Sequence, residues 1–233
     1  MTYNPTGSPE HFNTSGPEPV VGEAFSYGWN KFKSNFGAIV LCALVFFVIQ
    51  AVGFALQAAL QATRESTTDA GTAAALDGTA IISSLVFNIV SMLAQLGVIR
   101  AALAIVDGRR PEPADLFSVD RFGNYLLAII LIGIGTTIGT LLFVLPGIIF
   151  YFVTYFTPYF VLDKRMTAIG AMGASISLVR SHFGAFFVFA LACIGAFILG
   201  AIALLVGLLI AMPVVQIATA YNFRKTTDGA IAP

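Results

Sequence analysis

Residues 183–223 read FGAFFVFALACIGAFILGAIALLVGLLIAMPVVQIATAYNF, without one Asp, Glu, Lys or Arg. As a single helix, about 41 residues at 1.5 Å each would run to roughly 60 Å, twice the hydrocarbon thickness of a bilayer. The stretch must therefore fold back. Gly200 and Gly207 bracket the expected turn, which gives spans over 183–203 and 206–223. Pro213 is expected to kink the second of these, and Arg224 and Lys225 end it.

The opening of this stretch occurs twice more. Ser181-His182-Phe183-Gly184-Ala185 is echoed by Ser34-Asn35-Phe36-Gly37-Ala38 and by Asp120-Arg121-Phe122-Gly123-Asn124. A basic residue (Lys33, Arg121 or Arg180) precedes each Phe-Gly, and each copy launches an apolar run that ends at another charged segment. The first run predicts spans over 36–61 and 79–106, separated by a polar loop over 62–78 and closed by Asp107-Gly108-Arg109-Arg110-Pro111-Glu112-Pro113. The middle run predicts spans over 122–145 and 148–162. Leu145-Pro146-Gly147 is read as the tight turn, Pro158 as a kink, and Asp163-Lys164-Arg165 as the end. The predicted fold is all-α: a polytopic membrane protein with six transmembrane helices arranged as three hairpins, a threefold parallel repeat unlike the inverted repeats of many transporters.

Two further segments carry helical stripes. Phe25, Trp29, Phe32 and Phe36 lie on one face over 22–35, and Met166, Ile169, Met172, Ile176 and Val179 lie on one face over 166–182. Both are read as amphipathic helices in the headgroup region. Residues 1–21 read as a disordered tail, 22–225 as the membrane domain and 226–233 as a second tail. Pro5, Pro9, Pro17 and Pro19, with no Lys or Arg before residue 20, do not make a signal peptide.

Composition agrees. Hydrophobic residues make up 58% of the chain and charged ones 10%, against about 25% charged in soluble domains. Mean hydropathy is +0.88. A net charge of zero argues against a nucleic-acid partner. Six spans place Lys31, Lys33, Arg109, Arg110, Arg121, Lys164, Arg165, Arg180, Arg224 and Lys225 on one side and only Arg64 on the other. The positive-inside rule then puts both termini in the cytoplasm.

Polar residues inside the spans are few. Ser84, Asn88, Ser91 and Gln95 share one helical face in the second span, while Gln50 and Gln57 sit at matching depths in the first. This ladder is either interhelical hydrogen bonding or a polar groove. Arg100 lies near the cytoplasmic end of its span, within reach of headgroup phosphates by snorkelling. Gly135 and Gly139 have the spacing that lets helices approach closely. Cys42 and Cys193 read as buried apolar residues. No nucleophile constellation surrounds His11 or His182, the spans hold no carboxylate, and neither a nucleotide loop nor metal-ligand spacing occurs. No catalytic residue, metal or cofactor is expected.

At Leu145-Pro146-Gly147-Ile148, Thr157-Pro158-Tyr159-Phe160-Val161-Leu162-Asp163 and Ala168…Ala171…Ser175…Leu178…Arg180-Ser181-His182-Phe183, the chain resembles the membrane domain that some bacterial glycerophosphoryl diester phosphodiesterases carry. The resemblance spans about 22–225 and implies six helices in a bacterial inner membrane. It implies no phosphodiesterase activity here, because the catalytic barrel is absent. The leading expectation is a non-enzymatic protein that interacts with membrane phospholipid or scaffolds lipid-related partners. Arg100, Arg109, Arg110, Lys164, Arg165 and Arg180 are its candidate phosphate contacts. A small-molecule transporter using the polar ladder, and an accessory subunit bound to other membrane proteins, are the alternatives.

Overall fold

Each of the three Phe-Gly pairs opens a helix. The computed structural model describes residues 17–111 and 119–233. Among these, nine helices occur and no strand: α1 (Val21–Ser34), α2 (Phe36–Ser66), α3 (Ala70–Val106), α4 (Phe122–Leu142), α5 (Val144–Val153), α6 (Thr157–Leu162), α7 (Ala168–Ser181), α8 (Phe183–Ile202) and α9 (Leu204–Thr226). Most of the N-terminal tail, with His11, and Glu112 and Pro113 lie outside the described residues. The protein is an all-α polytopic membrane protein. Five helical stretches are long and apolar enough to cross a bilayer: α2, α3, α4, Val144–Leu162 and α8. The expected sixth, α9, has the length at 23 residues. It is the central helix rather than a lipid-facing one. Val215, Ile217, Ala218, Thr219, Ala220, Asn222 and Phe223 are all buried, so its sequence carries polar residues that a lipid-facing span excludes.

The repeat is real at the level of backbone geometry. The step from Phe36 to Phe183 carries Ser34 to Ser181 and Asn35 to His182. Asn35 (φ −119°, ψ 25°) and His182 (φ −124°, ψ 37°) break their helix pairs in nearly the same way. Ser34 Oγ donates to Lys31 O (3.1 Å), and Ser181 Oγ donates to Leu178 O (2.9 Å). The middle copy differs: Arg121 takes a left-handed φ of 61°.

Each hairpin is clasped by a glycine of its own. In the first, the Phe87 ring lies against Gly53. In the second, Gly139 meets the backbone of Gly147, and Gly135 meets Phe150. In the third, Gly207 lies on the Gly200 carbonyl, so close that a Cβ would stand 2.2 Å from it. Small residues thus allow close helix approach within hairpins, as expected for Gly135 and Gly139. Between hairpins, buried side chains gather at the charged end. These are Ile39, Cys42, Ala43 and Phe46 early in α2, Leu96, Ile99 and residues 101–106 late in α3, Tyr125 and Ala128 early in α4, and Phe186 and Phe189 early in α8. At the other end Leu141, Phe143 and Ile202 are 82%, 78% and 74% exposed, as suits side chains solvated by lipid tails.

Several local expectations are corrected. The loop at 62–78 is helical except for Thr67–Asp69. Asp69 caps α3 by accepting from Thr72 N (2.7 Å), and Arg64 bridges to Asp77 (2.8 Å). With 31 and 37 residues, α2 and α3 reach about 46 and 55 Å. The turn at Leu145-Pro146-Gly147 instead falls at Phe143, which is extended. Pro146 then sits in the first turn of α5, where its missing N–H costs nothing. Pro158 likewise opens α6 rather than kinking a continuous span.

The break between α5 and α6 leaves backbone groups in need of partners, and α7 supplies them. Ser175 Oγ accepts from Phe156 N (3.1 Å) and donates to Val153 O (2.9 Å). Non-helical backbone at this depth is tolerated because it is buried in protein. The buried face of α7 is therefore Ala168, Ala171, Ala174, Ser175, Leu178 and Val179. The expected stripe shares only Val179 with it; Ile169 is 68% exposed. On α1 the buried residues are Ala24, Gly28 and Phe32, with Gly28 against the Val214 carbonyl, while Trp29 is 45% exposed.

Candidate functional site

The charged ends of all three hairpins meet. Arg224, at the end of α9, bridges Asp107 after α3 (2.8 Å) and Asp163 after α6 (2.5 Å). The step from Phe122 to Phe183 is also the step from Asp163 to Arg224, so the repeat places opposite charges at equivalent positions. Burial pushes the Asp163 carboxyl up, against the pull of Arg224 and Lys164. Lys164 pairs with Asp163 (3.5 Å), and Lys225 pairs with Glu23 of α1. Residues 229–233, expected to be a tail, fold back over this junction. Ala232 N donates to Val106 O (2.8 Å), and Tyr27 Oη donates to Ala232 O (3.0 Å). Gly108 takes φ +77°, and a Cβ there would strike Ala232.

The inward acids leave cations outside. The Asp163 side chain is 9% exposed, whereas Arg109 and Arg165 are 65% and 64% exposed. Arg110 and Arg180 are exposed as well. Arg109 touches Asp107 (3.2 Å), and Arg165 lies 3.7 Å from Asp120. The six candidate phosphate contacts therefore divide. Arg109, Arg110, Arg165 and Arg180 face outward. Lys164 turns to Asp163, and Arg100 donates to the Asp120 carbonyl.

The polar ladder is mostly not a continuous path. Ser91 Oγ donates to Gln50 Oε1 (3.3 Å), a single rung between α2 and α3. Asn88 Nδ2 turns back to Ser84 O (2.7 Å), and Ser84 Oγ to Ile81 O (2.8 Å). Gln57 Nε2 is buried without a partner. Gln95 leaves the ladder altogether. It lines a cavity of about 360 Å³ between the first and third hairpins, with Phe46, Phe47, Val98, Ile99, Phe197, Leu208, Met212 and Gln216. A separate apolar slot of about 30 Å³, which shares Val98, Met212 and Gln216 as lining, lies towards Pro111. Tyr159 Oη donates to Gln216 Oε1 (2.8 Å). No cluster of metal-ligating side chains occurs among the described residues.

Comparison with known proteins finds relatives over nearly the whole chain, and their names state no activity. The uncharacterized protein Rv2560 of Mycobacterium tuberculosis is 31% identical over 244 residues, covering 97% of this chain and 74% of the relative. The uncharacterized protein Mb2590 of Mycobacterium bovis matches to the same extent. The chain belongs to this family. No family model matches it, and no solved structure does. Membership in the Rv2560 family carries no chemistry with it, since neither relative's name states one.

Sequence reasoning missed three features of the site. In the sequence Arg224 reads only as a helix end, whereas it is the junction of three hairpins. Gln216 escapes notice because it is the only polar side chain between Gly207 and Thr219 of α9. A signal existed for the first: Asp107, Asp163 and Arg224 each close a hairpin, and they carry opposite charges. Asn222, fully buried with neither side-chain atom partnered, had none.

Proposed function

We propose that this protein is a non-enzymatic multi-pass module of the bacterial inner membrane that holds anionic phospholipid on a cationic cytoplasmic rim. One observation carries the reading: at the charged end Asp163 turns inward to Arg224 and Asp107 is shared between Arg224 and Arg109, while the side chains of Arg109, Arg110, Arg165 and Arg180 stay exposed, Arg165 beside Asp120. Each Lys or Arg near an anionic leaflet is worth about 1 kcal/mol of attraction. The rings of Phe36 and Phe183, which open α2 and α8, and of Trp29 on α1 are exposed, and an aromatic belt is what anchors a protein in the headgroups. The resemblance to the membrane domain of glycerophosphoryl diester phosphodiesterases supports a lipid-side role. The distribution of Lys and Arg supports a cytoplasmic rim, with α9 as the sixth crossing.

The test is lipid retention. Native mass spectrometry of the purified protein should show co-purified phosphatidylglycerol or cardiolipin. Replacing Arg109, Arg110, Arg165 and Arg180 with Gln should strip most of it. Equal retention by the quadruple variant refutes the reading. Orientation is checked separately by a cysteine at position 69, which should label from outside an intact cell.

A further inference from the structure

The cavity between the first and third hairpins is not explained by the rim. Counting 1.5 Å per residue from the charged ends, Gln216 lies about 12 Å deep, Phe46 about 15 Å, Gln95 about 18 Å and Leu208 about 24 Å. The cavity therefore sits across the middle of a hydrocarbon core about 30 Å thick. No ionisable side chain lines it. A phosphate or carboxylate there would have no counter-charge, so its occupant is uncharged.

Two carboxamides nevertheless face the cavity, where lipid tails offer them nothing. Gln216 Oε1 already accepts from Tyr159 Oη. That bond fixes the amide, so the NH₂ of Gln216 is left as the donor. Gln95 is exposed, so the cavity opens onto the bundle surface at α3. Three rings, Phe46, Phe47 and Phe197, complete the wall. Amide donors among aromatic rings match a flat ring that bears acceptor oxygens. The volume of about 360 Å³ falls in the range of small-molecule pockets, roughly 300–1,000 Å³. Phospholipid and acylglycerol esters are a poorer fit: their carbonyls belong to the interface rather than the midplane, and they present no ring.

We propose that this cavity binds the ring of a membrane quinone, its carbonyl oxygens accepting from Gln216 and Gln95 and its isoprenoid chain leaving past α3 into the bilayer. The site is a binding site only, and it stands independently of the rim.

The test is ligand-dependent thermal stability of the detergent-solubilised full chain, titrated with decylubiquinone at fixed detergent concentration. A ligand that binds only the folded state raises Tm saturably. Wild type should show such a rise. Gln95→Leu, at an exposed position, should keep its unliganded Tm and need at least about tenfold more quinone for half the effect, which corresponds to about 1.4 kcal/mol. Leu208→Trp, which fills the cavity, should abolish the response. Dioctanoylglycerol should give no saturable rise. The proposal is overturned if wild type does not respond to quinone, if Gln95→Leu responds like wild type, or if dioctanoylglycerol matches decylubiquinone.

Discussion

Arg224 and Asp163 meet at 2.5 Å, although a whole hairpin of sequence separates them. The pair is mostly buried, at 13% and 9% side-chain exposure, and Asp107 joins it from a third segment. Removing one partner of a buried pair strands the other charge, at a cost of about 3–5 kcal/mol. Arg224→Leu removes the shared partner of two carboxylates, leaving, among the described residues, Asp107 only Arg109 and Asp163 only Lys164. It should lower the thermal midpoint in detergent far more than Asp107→Asn does, since the Asp107 side chain is 27% exposed against 9% for Asp163, and its loss leaves Arg224 with Asp163. Equal effects of the two changes would contradict a shared junction.

Ser175 holds the broken fourth span together through one hydroxyl. Ser175→Ala keeps the size of the small face on α7 but leaves Phe156 N–H and Val153 C=O unpartnered. The expected loss is about 1–3 kcal/mol. Hydrogen exchange at Phe156 should accelerate in the variant, while exchange in α8 stays unchanged.

The glycines make opposite predictions. Gly207→Leu drives a side chain into the Gly200 carbonyl and should cost about 1–3 kcal/mol or more by overpacking. Gly133 has open space where a Cβ would stand. Gly133→Ala should therefore stabilise α4 by about 0.5–1 kcal/mol through helix propensity alone. Thermal unfolding of both variants checks the pair.

Two carboxyls shift in opposite senses with pH. Lys225 holds Glu23 below its ordinary value, whereas burial holds Asp163 above its own. The Glu23 contact is present above the unfolded pKa and is lost as pH falls through the lower folded one. Asp163 binds its proton more readily when folded, so acid does not weaken its contribution to the folded state. Lowering pH from about 5 to about 3 should loosen α1 from α9, while residues 159–166 stay protected. Hydrogen exchange resolves the two segments.

Tyr27 lies at the rim, and burial pushes its hydroxyl up to about 12. The proton that it donates to Ala232 is retained through the ordinary tyrosine range. The docked segment should stay resistant to carboxypeptidase up to about pH 10 and yield as pH approaches 12. Tyr27→Phe should release it at neutral pH.

The helices were legible where the physics is one-dimensional. An uncharged run too long for one crossing dictates a hairpin, and each Phe-Gly does start a helix. Nothing approaches a Cβ built on Gly37, Gly123 or Gly184, so close packing does not account for the glycine in that phrase. Reading failed where tertiary partners decide. The polar stretch at 62–78 looks like a loop until Arg64 finds Asp77. The larger apolar residues of α7 predict a stripe, but the face that packs is its alanines and Ser175, because a broken span needs a neighbour at close range. For the site, the outward cations were visible in composition. Which of them an acid neutralises depended on three chain ends meeting.

The glycine clasps lie within hairpins, and the Arg224 junction lies between them. During synthesis, each pair of helices therefore finds its own partner as soon as it leaves the ribosome, with no help from the rest. The junction must wait for Arg224, and the cover over it for residues 229–233. A nascent chain stalled before that point would hold its arms chiefly by apolar contacts, with Asp107 and Asp163 still lacking the cation that joins them.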